Sequence, residues 1–214
     1  MPGTAIVRVP EALTDVAAAP ASCAVATAAA IVRTAGDVRG RTVVVLGAGM
    51  VGLAVASLAV AGGASFVGIV DPRGDRLERA ARAVPGCRTA TGAAEMPTDG
   101  ADGADVVVEA GGSRASVVAA IDLVATGGTC VLAGTVSPVG TVPFDPERIV
   151  RRQASIHGVH NYVPGDLVAA LAHLAGTNGA PLAALVGPVF PLARVHEALA
   201  VAESGSALRV VVTP

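Results

Sequence analysis

Three glycines and one aspartate carry the spacing with the most chemical content in this chain. Gly47, Gly49 and Gly52 follow a β-branched run that begins at Thr42, and Asp71 closes the next apolar run 19 residues after Gly52. Glycines at this spacing allow a tight turn, close approach of the backbone to a pyrophosphate, and close packing of a helix on a strand. A carboxylate placed like Asp71 accepts a hydrogen bond from an adenosine ribose 2′-OH. The pattern therefore predicts a dinucleotide site.

The elements around the glycines must be a strand, a helix and a second strand for this prediction to hold. Residues 42–46 and 66–70 are typical of buried strands, and residues 53–61 suit a helix between them. The phosphates would lie at the helix N-terminus, where free N–H groups favour anions, and Met50 and Val51 join the glycines as predicted cofactor-binding residues. The alternative is a strand–turn–helix without a ligand, because a chain with 26 glycines can match the spacing by chance.

The rest of the chain continues the alternation of strands and helices. Residues 15–35 are alanine-rich, and they contain a predicted helix that starts near Pro20 and ends at Gly36. Further predicted helices are 73–84, 113–125, 164–175 and 192–203, and further predicted strands are 105–110, 129–133, 155–159 and 208–212. Residues 89–104, with a loop at 97–100, and residues 135–147 are predicted to be irregular. This alternation indicates an α/β fold with a doubly wound parallel sheet, the Rossmann fold.

Composition narrows the function classes. The net charge of −2 gives no electrostatic footprint for nucleic acid. All 15 basic residues are arginine, which excludes Schiff-base chemistry and Tyr-x-x-x-Lys catalysis. Three widely spaced cysteines without a secretory leader predict a reducing cytoplasm. Residues 42–70 carry no charge before Asp71, but their glycines favour buried soluble elements over a membrane span.

The order of these segments resembles the medium-chain zinc-dependent alcohol dehydrogenases. The resemblance rests on the glycine turn with Asp71 and on residues 106–112, 127–134 and 204–214, so it covers essentially the whole chain. Residues 3–10 and 156–167 are similar to the branch of that family associated with phosphonate metabolism. The resemblance implies three parts: an extended lead-in at 1–22 that is a remnant of the catalytic domain, an NAD-binding Rossmann domain at 23–160, and C-terminal helices with a closing strand at 161–214.

The resemblance also assigns roles on the first long helix. Cys23 occupies the position of the family's later zinc ligand, so zinc is expected only if a missing catalytic domain completes the site. The alternative for Cys23 is a small buried cysteine on an alanine-rich helix. Thr27 matches a residue beside the nicotinamide ring, or else it is a helix threonine that bonds back to a carbonyl.

Two arginines match basic residues that contact the cofactor. Arg76 resembles the residue at the adenosine ribose, with a solvated helix face as the alternative. Arg209 matches the late residue that reaches the pyrophosphate, with a surface arginine as the alternative. Asp71 would repel a 2′-phosphate, which favours NAD over NADP.

Small residues at predicted strand ends complete the expected site. Gly111, Ala133 and Gly134 lie where open α/β sheets bind ligands, although plain turn residues would have the same composition. The four histidines show no metal-ligand spacing, and none is assigned as a base: His157, His160, His173 and His196. Of these, His173 and His196 are expected on helix surfaces.

The implied function is that of an NAD-dependent oxidoreductase. It would transfer hydride between a small alcohol or aldehyde and the nicotinamide, with zinc in the complete enzyme polarising the alcohol oxygen. The family also implies a homodimer, with a contribution from 182–190, or pairing with a catalytic domain. The alternative function is a stand-alone NAD(H)-binding module or partner subunit without turnover of its own.

Overall fold

A six-stranded parallel sheet forms the centre of the computed structural model, which describes residues 6–98 and 102–214. Its strands are β1 Thr42–Leu46, β2 Phe66–Val70, β3 Arg88–Ala90, β4 Ala104–Glu109, β5 Val124–Leu132 and β6 Ser155–Gly158. They lie in the order β3-β2-β1-β4-β5-β6, and all neighbouring pairs are parallel. This order reverses between β1 and β4, as in a doubly wound dinucleotide-binding sheet. The predicted α/β Rossmann fold is confirmed.

Helices cover both faces of the sheet. They are α1 Asp15–Ala18, α2 Ala26–Ala35, α3 Met50–Ala61, α4 Gly74–Ala83, α5 Arg114–Leu123, α6 Pro146–Arg152, α7 Pro164–Ala175, α8 Ala180–Ala183 and α9 Val195–Glu203. Short 3₁₀ turns occur at Ala93–Glu95 and Leu192–Arg194. Two further strands, β7 Val189–Pro191 and β8 Val211–Thr213, pair in parallel as a separate small sheet.

The side chains of β1 alternate between two apolar clusters. Val43 and Val45 lie in the cluster beneath α2, α3 and α7, whereas Val44 and Leu46 lie in the cluster beneath α5. Successive side chains of a strand point to opposite faces, so a strand covered on both sides is apolar throughout. The same burial explains the uncharged stretch in the sequence.

The helix predicted from near Pro20 to Gly36 begins with a π-helical turn, and a separate short helix precedes it. Asp15–Ala18 is followed by a π-helical turn, Ala21–Val25, before α2 begins at Ala26. Pro20 has no N–H to continue the first helix, and its carbonyl accepts from the amides of Ala24 and Val25. The prediction that the helix ends at Gly36 is confirmed, because Gly36 caps α2 with φ of 86°.

Several short elements differ from the sequence prediction. β3 lies in the segment predicted to be irregular, and α6 follows the proline-rich segment after a cap at Asp145. β5 begins at Val124, ahead of the predicted turn at 127–128, and its register with β4 shifts there. The closing strand, β8, begins three residues later than predicted. Residues 1–5 of the predicted lead-in and 99–101 of the predicted loop lie outside the described residues.

One helical stretch, Asp15–Ala35, is long and apolar enough to cross a membrane by length and composition. Half of it is buried inside the protein, and core helices of soluble proteins pass the same test. The larger apolar cluster runs from Ala21 to Leu182 and therefore includes residues from both sides of the predicted boundary at 160. The three-part division of the chain stays a prediction.

Candidate functional site

The glycine turn between β1 and α3 requires the absence of side chains at two positions. Gly47 has φ of 113°, and a Cβ there would lie 2.7 Å from the carbonyl carbon of Ala110. A Cβ on Gly52 would lie 1.9 Å from the carbonyl oxygen of Gly47, so α3 packs directly on the turn. Gly49 caps α3 with extended backbone and no side-chain hydrogen bond, and a Cβ there would meet nothing within 4 Å. The N-terminus of α3 is therefore open to a ligand.

Asp71 connects the end of β2 to this turn. Its side chain is 4% exposed, and its Oδ2 accepts from the amide of Ala48 at 2.9 Å. Its Oδ1 accepts from the amide of Arg73 at 2.9 Å. The carboxylate is therefore fixed beside the N-terminus of α3, where sequence spacing predicted it.

Two arginines beside Asp71 differ in their partners. The Nη1 of Arg76 lies 3.5 Å from Asp71 Oδ2, and Nε of Arg76 is buried without a hydrogen-bond partner. Arg73 instead forms a two-bond pair with Asp75, at 3.1 and 3.0 Å. This pair holds the pKa of Asp75 below its ordinary value. An unpaired buried donor on Arg76 indicates a position for a ligand acceptor or for water.

A cavity of about 410 Å³ lies at the carboxyl ends of β1, β2 and β4. The predicted residues Gly47, Gly49, Asp71, Arg76 and Gly111 line it. Open parallel sheets bind ligands at this point, where the strand order reverses. The structure thus brings together five of the residues predicted from the sequence.

A second cavity of about 470 Å³ lies at the carboxyl ends of β5 and β6. Ala133 and Thr135 line it, together with Val159 on the segment that follows β6. Gly134 lies between Ala133 and Thr135, and its amide donates to the carbonyl of Glu109 at the end of β4. Of the predicted small residues at the end of β5, Ala133 lines this second cavity, and neither Ala133 nor Gly134 lines the first.

Glu109 was missed by the sequence interpretation. It is completely buried, and its Oε1 accepts from the amides of Gly111 and Gly112 at 2.8 and 2.6 Å. Ser116 Oγ donates to the same oxygen at 2.7 Å, and the amide of Gly134 donates to Oε2 at 3.1 Å. The available signal was a single charge at the end of an all-valine strand, since buried charges require partners.

Three further predicted residues lie away from the first cavity, which is called the glycine cavity because Gly47, Gly49 and Gly111 line it. Arg209 lines a different cavity of about 440 Å³, next to Leu208 and Val210. Thr27 is half-buried in α2. Cys23 is exposed on the π-helical turn, so the alternative of a buried cysteine is wrong. On this turn Ala21, Ala24 and Val25 face the core, which leaves Cys23 on the solvent side.

The neighbourhood of Cys23 contains the single tyrosine of the chain. The hydroxyl of Tyr162 donates to the carbonyl of Ser22, and this bond joins the segment before α7 to the π-helical turn. Within residues 6–98 and 102–214, three or more His, Cys, Asp or Glu side chains nowhere cluster in a way that could hold a metal ion.

His173 is not the surface residue that the sequence suggested. It is half-buried, and its Nε2 lies 2.8 Å from the hydroxyl of Ser57. Ser57 donates its single proton to the carbonyl of Asn178 at 3.0 Å, so Nε2 of His173 must be the donor. Burial lowers the pKa of His173. The pair therefore lacks the free Nε2 lone pair that a general base needs, whereas His196 is exposed as expected.

The parallel sheet and its strand order are those of a doubly wound dinucleotide-binding fold, and the family comparison agrees with this class. The model of the zinc-binding dehydrogenase family matches residues 50–176, which is more than half of the chain. The chain belongs to this family, which confirms the resemblance to zinc-dependent alcohol dehydrogenases. The phosphonate-associated branch stays a prediction.

The relatives are dehydrogenases of greater length. The chain is 30% identical to 5-exo-hydroxycamphor dehydrogenase of Pseudomonas putida over 98% of this chain and 61% of that protein. It is similar in structure to an alcohol dehydrogenase of Thermotoga maritima, with a TM-score of 0.83, 28% identity, and coverage of 97% of this chain and 60% of the other. A Sinorhizobium meliloti zinc-binding dehydrogenase solved with NADP shares the fold, with a TM-score of 0.82, 22% identity, and coverage of 97% and 62%. The chain thus spans less than two thirds of each.

Proposed function

We propose that this chain is the cofactor-binding part of an NAD-dependent alcohol dehydrogenase. The reaction is hydride transfer between a small alcohol or aldehyde and the nicotinamide. The observation that carries the proposal is the 410 Å³ cavity in which the fixed carboxylate of Asp71 lies beside the open N-terminus of α3. Family membership supports the class of reaction.

Residues at the different strand ends contact different parts of the cofactor. Asp71 accepts from the adenosine ribose hydroxyls, and the orphaned Nε of Arg76 supplies a donor on the same side. The amides of Met50, Val51 and Gly52 face the pyrophosphate at the start of α3. Gly111, Ala133 and Gly134 leave room for the nicotinamide half at the ends of β4 and β5. When bound, the nicotinamide supplies the hydride chemistry, and the protein orients it.

Charge around Asp71 favours NAD over NADP. A 2′-phosphate would face a buried carboxylate at the position where NAD presents a hydroxyl. Arg73, which could offset that repulsion, is paired with Asp75, and Nη1 of Arg76 lies 3.5 Å from Oδ2 of Asp71 itself. Arg209 lines a different cavity, so its proposed contact with the pyrophosphate rests on the family resemblance.

The described residues do not form a zinc site by themselves. Catalytic zinc takes three protein ligands, and Cys23 offers one exposed thiol. Zinc chemistry would therefore require ligands from a catalytic domain such as the longer relatives have room for. The proposed contact of Thr27 with the nicotinamide ring rests on the family resemblance.

Titration calorimetry with NADH and NADPH tests the proposal. Wild-type protein should bind NADH more tightly than NADPH. The Asp71→Asn variant should bind NADH about tenfold more weakly and lose most of the preference, because hydrogen bonds to a charged acceptor contribute about 1.5–3 kcal/mol. Asp37→Asn is the matched control, since Asp37 also accepts from the amide two residues ahead, but in an exposed turn. Equal binding of both nucleotides by wild type would refute the NAD assignment.

A second candidate function is an NAD(H)-binding module or partner subunit without turnover. Cys23 favours it, because the part of the chain that the structure describes adds no further ligands around that thiol. Tight NADH binding without oxidation of any of a panel of small alcohols, with zinc added, would support the module. Turnover by this chain alone would exclude it.

Assembly and location follow the same proposal. Val189, Leu192 and Val212 are exposed around the small sheet of β7 and β8, which suits contact with a catalytic domain or a second copy. Analytical ultracentrifugation should therefore show a dimer, or a monomer that associates with the added domain. The reducing cytoplasm remains the proposed compartment.

A further inference from the structure

A buried carboxylate joins the two strand ends on which the proposed cofactor site depends. Glu109 ends β4 and is 0% exposed. Gly111, Gly112 and Ser116 all donate to its Oε1, and these three donors belong to the loop and first turn that lead into α5. Oε2 accepts at 3.1 Å from the amide of Gly134 after β5, and the same amide also donates to the backbone carbonyl of Glu109 at 2.9 Å.

The two oxygens thus accept hydrogen bonds from residues at two different cavities. Gly111 and Ser116 line the cavity that contains Asp71, where the adenosine half is proposed to bind. Gly134 follows Ala133, which lines the cavity at β5 and β6, where the nicotinamide half is proposed to bind. Because three donors hold the carboxylate on one side, its second oxygen adds a contact to the end of β5, which the backbone carbonyl of Glu109 also holds through the amides of Ala133 and Gly134.

We propose that Glu109 is a positioning residue that couples the adenosine half of the cofactor site to the nicotinamide half. This inference rests on the proposed function. Glu109 touches neither cavity itself, so it acts through the amides of Gly111, Gly112 and Gly134. Breaking the hydrogen bonds of a buried carboxylate costs much free energy, so the arrangement of donors around Glu109 is strongly favoured.

The Glu109→Gln variant separates the two halves. The amide oxygen of glutamine can replace Oε1 and keep its three donors, which places the amide NH₂ opposite the N–H of Gly134. The new NH₂ then lies at the end of β5 without an acceptor, beside a Gly134 N–H that keeps its bond to the backbone carbonyl of residue 109. The reversed orientation would place the NH₂ against three donors and is worse. The variant therefore disturbs the nicotinamide side selectively.

Calorimetry with 5′-AMP and NADH reads this selectivity. We expect Glu109→Gln to bind AMP within about twofold of wild type and NADH about tenfold more weakly, because a buried unpaired donor carries a large penalty. Asp105→Asn is the matched control: Asp105 lies on the same strand and accepts from the amide of Thr42 at 2.8 Å, at the opposite end of the sheet. It should change neither affinity.

Amide hydrogen exchange on wild-type protein provides a test that does not depend on the variant folding. AMP should slow exchange at residues 132–136 as well as at 109–113, although it occupies only the adenosine half. Absence of protection at 132–136, or parallel loss of AMP and NADH binding in Glu109→Gln, would overturn the coupling role. Failure of wild type to bind either nucleotide would instead refute the proposed function.

Discussion

The three cysteines differ in the chemistry that their surroundings allow. Cys23 is exposed, Cys87 is half-buried with its pKa raised by burial, and Cys130 is buried beside the charge of Glu109. Burial and that charge raise the pKa of Cys130 to about 12. Since the thiolate is the nucleophile, reactivity should follow exposure and pKa together.

A thiol-labelling experiment with a disulfide reagent at pH 8 checks this order. One fast equivalent should react in the native protein, and Cys23→Ser should remove it. Cys130 should react only after denaturation, because about one thiol in ten thousand is ionised four pH units below its pKa. Fast labelling that survives in Cys23→Ser would contradict the structure around Cys23.

The His173–Ser57 pair predicts a pH dependence of stability. Burial lowers the pKa of His173 in the folded state, so the unfolded chain takes up the proton first as pH falls below about 6.5. The contribution of neutral His173 is complete above that pH and decreases as pH falls toward the lower folded pKa. Urea unfolding between pH 8 and 5 should show less acid loss for His173→Gln than for wild type. His196→Gln, at an exposed histidine, should behave as wild type.

At the scale of elements, two glycines in the turn from β1 to α3 have different roles: Gly52 allows packing, and Gly49 allows the ligand to approach. Gly52→Ala places a methyl group 1.9 Å from a backbone oxygen, so the free energy of unfolding should fall by about 2 kcal/mol or more. Gly49→Ala fills open space at the helix cap and should cost less than about 1 kcal/mol. Its methyl group lies where a phosphate must approach, so NADH affinity should fall about tenfold. Chemical denaturation measures the free energy of unfolding of both variants, and calorimetry measures their affinity for NADH. Normal NADH binding by Gly49→Ala would contradict the role of Gly49 in binding.

The sequence predicted correctly the elements whose bounds are determined by residues within the element itself. β2 and α7 have the predicted bounds because uniform apolar burial and an N-terminal proline mark them in the sequence. β3 was missed because a three-residue edge strand has exposed Arg88 and Thr89 and no apolar period. α6 was missed because its cap, Asp145, follows a proline-rich segment that indicates irregular structure.

Contacts between distant residues set the limit of sequence prediction in the site. Gly47, Gly49, Asp71 and Arg76 were predictable because one turn and two strand ends determine their spacing. The role of Glu109 was not, since two of its four donors, Ser116 and Gly134, lie beyond the adjacent glycine turn, and only the fold brings them to the carboxylate.

At the scale of the whole molecule, cofactor binding should stabilise the fold. The site takes residues from β1, β2, β4 and α5, so unfolding any of them releases the ligand. At one hundred times the dissociation constant, NADH should add about 2.7 kcal/mol. For a chain of this size the unfolding midpoint should rise by about 5–10 °C. A thermal scan checks this, with Asp71→Asn as the weaker-binding reference, and an unchanged midpoint at saturating NADH would contradict the cofactor proposal.

The bond from Tyr162 to the carbonyl of Ser22 has an optical consequence. The chain contains no tryptophan, one tyrosine and three phenylalanines. Because a phenyl ring absorbs and emits far more weakly than a phenol, emission excited in the phenol absorption band comes from Tyr162. That ring spans the contact between the segment before α7 and the turn that presents Cys23. Its emission and near-ultraviolet dichroism therefore report the docking of a single junction, and the fluorescence of bound NADH can be followed without tryptophan background.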